Sequence, residues 1–148
     1  MGPTERFVEY ATAFEQTFDD DDWSRLTRYF APDAVYEVKN VPFACRLEGR
    51  EAIFRGIQKS LDGFDRRLPK RGIEVTEPPV EDGETMRVGM AVTYQMEGRR
   101  PLVLRGHVTA RYRDGVIAFM ADEYVPGVHE EFERWVREYD PSIGGSYV

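Results

Sequence analysis

The chain has 148 residues and a single cysteine, enough for one domain with a real core and too few thiols for an internal disulfide or a thiolate-built zinc site. A formal net charge of −7 argues against a nucleic-acid partner, because phosphate binding needs a cationic face. No apolar stretch has signal-peptide or membrane-spanning length, and Arg6 stands where a myristoylation signal needs a hydroxyl residue, so a soluble, cytoplasmic protein with no membrane partner is expected.

Pro3 and Thr4 open a first helix, proline being tolerated before the first turn and threonine serving as a cap. Phe7, Ala11, Phe14 and Phe18 recur at helical spacing, so this helix buries one face. Asp19 to Asp22 read as a linker whose last aspartates cap a second helix, since consecutive carboxylates do not converge on one ion without a calcium-loop spacing. Trp23, Leu26 and Phe30 form that helix's apolar stripe, Pro32 ends it, and AVYEV reads as a strand. Lys39 to Gly49 reads as an unusually apolar loop, and whether Phe43 and Cys45 make it a lid is open at this point.

Gly49-Arg50-Glu51 leads into a third helix with Ile53, Ile57, Leu61 and Phe64 at core spacing, followed by a basic cluster, DRRLPKRG, read as a solvated loop. IEV, TMRVGMAVTYQM, PLVLRGHVTARY and VIAFMADEYV then read as strands joined by EDGE, MEGRRP and RDG, an antiparallel meander. EEFERWVREY closes the fold as a short helix, and residues 139–148 read as a mobile tail. Residues 1–148 are thus expected to form one α+β domain, a curved antiparallel sheet with helices packed on its concave face.

The last hairpin carries His107 on one strand and Asp122 on the other, and its register decides whether they meet. A two-residue Asp114-Gly115 turn pairs His107 with Asp122; a three-residue loop of Arg113, Asp114 and Gly115 shifts every partner by one and flips faces. In the three-residue register Leu104 faces Tyr124, Val108 faces Met120, Ala110 faces Ala118, and Arg105 faces Glu123 as an opposite-charge pair. That register matches apolar to apolar and is the one expected. It leaves Asp122 alone on the inward face, near Leu104, Met120 and Tyr124, and turns His107 outward. A carboxyl so placed is desolvated and its pKa raised, which makes it useful as an acid or base near neutral pH. The competing reading is a structural aspartate at a wet strand end, or one satisfied by Tyr36. Cys45 has no histidine near it in sequence, and His129 reads as a surface residue.

With RYFAPDAVYE after two helices, GREAI opening the third and RDGVI……DEY in the last hairpin, the chain resembles the nuclear transport factor 2-like superfamily, and within it the SnoaL-like and limonene-epoxide-hydrolase-like branches, from about Thr4 to Tyr139. The resemblance implies a cone-shaped α+β fold enclosing an apolar pocket, with the outer sheet face available for a homodimer. It also implies that Asp122 matches the acid/base aspartate of the SnoaL-like polyketide cyclases and one carboxylate of the epoxide hydrolases' Asp-Arg-Asp set. Tyr36 matches the hydrolases' water-positioning tyrosine. The neighbouring asparagine is replaced by Val38, the Arg-x-Asp is missing near Gly89 to Ala91, and the cyclases' pocket histidine falls on Val108. The tyrosine, base and oxyanion-hole aspartate of ketosteroid isomerase fall on Phe14, Val38 and Val108, so that machinery is excluded, as is the hydrolases' triad.

The expected site is therefore catalytic Asp122 with Tyr36, and a substrate wall of Phe14, Phe18, Val38, Leu104, Val108, Tyr112, Met120 and Tyr124. It requires no cofactor or metal, and no nucleotide motif is present. Cyclisation, isomerisation, dehydration or hydrolysis of an apolar polyketide- or terpenoid-like molecule suits such a site. The alternative is a non-catalytic ligand-binding or accessory homodimeric module.

Overall fold

The computed structural model describes residues 1–140 and 143–148. Helix α1 (Pro3–Asp20) has Pro3 at its start and Gly2, not Thr4, as its cap; Asp21 ends it in a left-handed conformation, φ 59°. Asp20 to Asp22 then fasten the junction. Asp20 pairs with Arg25 at 2.6 Å, and Asp21 accepts from Trp23 Nε1 at 2.8 Å. Trp23–Tyr29 is a 3₁₀ helix rather than an α-helix, and strand β1 (Phe30–Lys39) begins before Pro32. Pro32 biases its predecessor toward extended backbone, so the chain leaves helical geometry two residues earlier than expected.

The apolar loop after β1 contains a short strand, β2 (Cys45–Glu48), on the sheet edge. Helix α2 (Arg50–Gly63) follows, then β3 (Lys70–Asp82), β4 (Thr85–Gln95), β5 (Leu102–Arg113), β6 (Val116–Tyr124) and α3 (Val128–Tyr139). The six strands run in the order β2-β1-β6-β5-β4-β3. Four neighbouring pairs are antiparallel, as expected, but β1 and β6 are parallel, so the sheet is mixed. A parallel pair needs a long crossover, and the whole α2-to-β5 segment supplies it. β3 is far longer than IEV; it lies exposed on the other edge, interrupted near Pro78 and Pro79, where an edge strand tolerates proline.

The core lies between the sheet's concave face and the helices, around Leu26, Phe30, Ile53, Leu102, Ile117 and Trp135, each at most 2% exposed. Trp135 also donates its indole N–H to Arg100 O at 2.9 Å, anchoring α3 over the β4–β5 connection. The described part of the expected tail does not trail away: Ile143 is buried, and Gly144 N–H donates to Gly63 O on α2. Pro141 and Ser142 lie outside the described residues. The basic cluster is likewise engaged rather than solvated. Arg66 binds Asp62 and Asp21, and Arg71 binds Asp65 and Glu15. Among the described residues, no helix is long and apolar enough to cross a membrane.

Candidate functional site

The β5–β6 hairpin takes neither of the two simple registers throughout. Asp114 (φ 53°) and Gly115 (φ 80°) make a two-residue turn, so Tyr112 pairs with Ile117. Ala118 is then an extra residue on β6, and Arg111 pairs with Phe119. Beyond this bulge Ala110 pairs with Met120, Val108 with Asp122, His107 with Glu123, and Gly106 with Tyr124. The expected partners are therefore wrong by two positions, but a shift of two preserves the face. Asp122 points inward with Val108, and His107 points outward.

Asp122 sits in an apolar row: Val38 flanks it on β1, Val108 on β5, and Val88 lies beyond Val108 on β4. Tyr36, two residues before Val38 on the same face, donates its hydroxyl to Asp122 Oδ2. Burial pushes the Asp122 carboxyl up from 3.8 to about 6, with the Tyr36 hydrogen bond opposing. Burial, then the Asp122 charge, raises the Tyr36 phenol well above its ordinary value, so it stays protonated and remains a donor.

This pair lies at the inner end of a cavity of about 510 Å³. Of the residues expected at the site, Phe14, Tyr36, Leu104, Val108, Met120, Asp122 and Tyr124 line this cavity. Phe18, Val38 and Tyr112 do not. Phe18 lies under the guanidinium of Arg71, 4.7 Å from ring centroid, and lines a separate cleft. Val38 is buried in the sheet beside Asp122, and Tyr112 is buried near the hairpin turn with its hydroxyl unpartnered. The pocket's mouth is marked by Val8 of α1 and Ile73 and Val75 of β3, apolar residues that are nonetheless exposed. Gly106, between Met90 and Tyr124 in the sheet row, lets the β6 backbone come close, since a Cβ there would stand 2.6 Å from Glu123 O.

Other residues gather here that carry no periodic signal along the chain. Phe43, from the β1–β2 loop, lines the cavity and packs on Tyr124, Phe132 and Tyr147. Tyr147 packs edge-on to Tyr36 with centroids 5.8 Å apart. At another part of the lining Tyr94 donates to Asp65 Oδ2 at 2.9 Å, and Arg71 Nε donates to the same oxygen at 3.0 Å. The hairpin register disposes of a His-Asp pair. His107 Nε2 meets Glu77 Oε2, which reaches across the bare Gly89. Cys45 faces the core beside Val38, and burial raises its thiol, which is opposite to what a nucleophile needs. His129 is a surface residue 3.3 Å from Glu133. Among the described residues, no cluster of three or more His, Cys, Asp or Glu could hold a metal ion.

A family model for the SnoaL-like domain matches residues 11–120, and the chain belongs to that family, within the nuclear transport factor 2-like superfamily. No curated protein matches in sequence. Among solved structures, a nuclear-transport-factor-2-like protein of unknown function from Burkholderia pseudomallei K96243 superposes with a TM-score of 0.66 at 13% identity, covering 88% of this chain and 97% of that one. A protein with a ketosteroid-isomerase-like fold from Catenulispora acidiphila DSM 44928 gives 0.59 at 20% identity, covering 82% and 88%. An epoxide hydrolase from M. tuberculosis, of the limonene-epoxide-hydrolase-like type, gives 0.55 at 20%, covering 90% and 91%. At these identities the likeness carries the fold alone.

Proposed function

We propose that this protein is an acid/base enzyme acting on a small, mostly apolar molecule of polyketide or terpenoid type, with Asp122 moving the proton and Tyr36 orienting substrate or water. The observation that carries this is the Asp122 carboxyl, raised to about 6, held by a tyrosine hydroxyl at the inner end of an apolar cavity. Such a group is ionised enough at neutral pH to take a proton, and its protonated form is acidic enough to return it. Cyclisation, isomerisation, dehydration and hydrolysis all use that step. Among the described residues no cation acts on the carboxyl, so the part of the substrate beside it is uncharged or positive rather than anionic. The outer sheet face, with His107 and Glu77 on it, is our proposed homodimer surface.

The second reading, a ligand-binding module without turnover, is favoured by one feature: Val38, Val88 and Met90 occupy the sheet positions around Asp122 where a second catalytic charge would stand. Thermal-shift screening of polyketide, terpenoid, steroid and epoxide compounds on wild type and Asp122→Asn separates the two. A ligand at about 100 times its Kd stabilises a fold by roughly 2.7 kcal/mol. A hit converted by wild type and bound but unconverted by the variant supports the enzyme. A hit left unchanged by both supports the binding module.

A further inference from the structure

The segment 143–148 lies outside the residues matched by the family model, and it docks on a stripe of small residues along α2: Gly56, Ser60 and Gly63. Ser60 Oγ donates to Gly145 O at 2.7 Å, and Gly144 N–H donates to Gly63 O at 3.3 Å. A Cβ on Gly63 would stand 2.4 Å from the Gly144 carbonyl oxygen, and one on Gly56 3.1 Å from that of Tyr147. The backbone can approach this closely only because those α2 positions are bare. The docking carries the Tyr147 ring to 5.8 Å from Tyr36 and 6.2 Å from Phe43, tilted 60° to the first and stacked at 26° on the second.

We infer that segment 143–148 is a wall of the Asp122 site and that Tyr147 is its positioning residue, holding the Tyr36 phenol on the carboxyl and keeping bulk water away. The inference rests on the acid/base reading. Around the carboxyl, α1 gives Tyr10, β1 Tyr36, β2 Cys45, β6 Tyr124 and the docked segment Tyr147, while β4 and β5 give Val88 and Val108. Among the described residues, Glu15, Asp65, Arg71, His107 and Glu123 also border the cavity, but only burial and the Tyr36 hydrogen bond act on the carboxyl. With no counter-charge acting there, exclusion of water governs the carboxyl's proton affinity. An aromatic ring that can be lifted off is then the lever on it.

The test compares wild type with Tyr147→Ala, Tyr147→Phe and Gly63→Ala. One readout is the Asp122 carboxyl titration by ¹³C NMR, assigned with Asp122→Asn; the other is hydrogen exchange of the 143–148 peptide. Alanine is the better helix former, so Gly63→Ala weakens docking without weakening α2. In wild type the segment should be protected and Asp122 should titrate near 6. Tyr147→Ala and Gly63→Ala should bind that proton at least tenfold more weakly, and Tyr147→Phe, which keeps the ring and loses only the hydroxyl's contacts with Tyr36 and Ser60, should shift it by clearly less. A segment that exchanges freely in wild type overturns the inference, as does an Asp122 titration unmoved by Tyr147→Ala or one that falls equally in Tyr147→Phe. In those cases a wild-type titration near 6 leaves the acid/base reading standing. A wild-type titration near the ordinary aspartate value, about 3.9, would remove both together.

Discussion

Two aspartates line the same cavity, and each accepts a hydrogen bond from a tyrosine hydroxyl: Asp122 from Tyr36, and Asp65 from Tyr94. Burial raises both. Asp65 has a counter-ion, Arg71, whose side chain is itself only 15% exposed and also reaches Glu15. Asp122 has none. A carboxylate with its charge balanced ties α1, the turn after α2 and β3 together, whereas one left unbalanced among valines is costly to keep and available to react. The contrast separates a fastening from a candidate reactive group although both are partly buried, tyrosine-bonded carboxyls.

Asp122→Asn should break that contrast most sharply. Turnover of a converted ligand should drop by about 10²–10⁴, the usual share of a general acid or base. The fold should meanwhile gain stability at pH 7. The folded-state pKa of about 6 lies above the ordinary 3.8, so the native state binds more protons than the unfolded chain between those values. The group's contribution is therefore most favourable below about pH 4 and is lost as pH rises through 6. Removing the ionisation should return on the order of 1–2 kcal/mol at pH 7, after allowing for water in the open cavity. Urea titrations at pH 4 and pH 7 check this: the gain should be present at the higher pH and shrink at the lower. Arg71→Ala should do the reverse, costing about 3 kcal/mol by stranding Asp65, while the NMR titration of Asp122 stays in place.

Much of the site is legible in the residue pattern, and where it is not the reason is physical. Alternation along β5 assigns Asp122 to the inner face because the other parity would set the polar row Arg105, Thr109 and Arg111 against Tyr124, Met120 and Ala118. The bulge at Ala118 is invisible, since nothing in RDGVIAFMADEY distinguishes a two-residue turn plus one extra residue from a three-residue loop; both give the same parity. The Asp65–Arg71 tie looks like a basic surface loop because six residues separate the partners and Tyr94 comes from a distant strand. The docked segment is harder still. IGGSYV has no helical or strand period, and the matching signal, Gly56, Ser60 and Gly63, sits on a helix where small residues read only as weak helix formers. Phe18 and Tyr112 are read into the pocket because spacing gives a face of an element but not the depth along it.

Tyr36→Phe makes a finer cut. The Tyr36 bond is what opposes burial at Asp122, so its loss should raise the carboxyl further above 6 and move the basic rise of a pH–activity profile upward. The stability change should be about 1 kcal/mol, the ordinary net worth of one hydrogen bond. Tyr94→Phe should not shift that profile.

His107→Ala carries the smallest expected effect and tests the face assignment itself. The bulge at Ala118 sets His107 opposite Glu123 and Asp122 opposite Val108, so the imidazole and the carboxyl lie on opposite faces of the sheet. Its contact with Glu77, whose side chain is 62% exposed, is a surface pair. The substitution should therefore change stability by no more than about 0.5 kcal/mol and leave both the Asp122 titration and ligand conversion as in wild type. A register without the bulge would put His107 directly against Asp122, and the same substitution would then alter the carboxyl's titration strongly. A single NMR titration of this variant thus reads, at Asp122, whether the extra residue at Ala118 is in the strand.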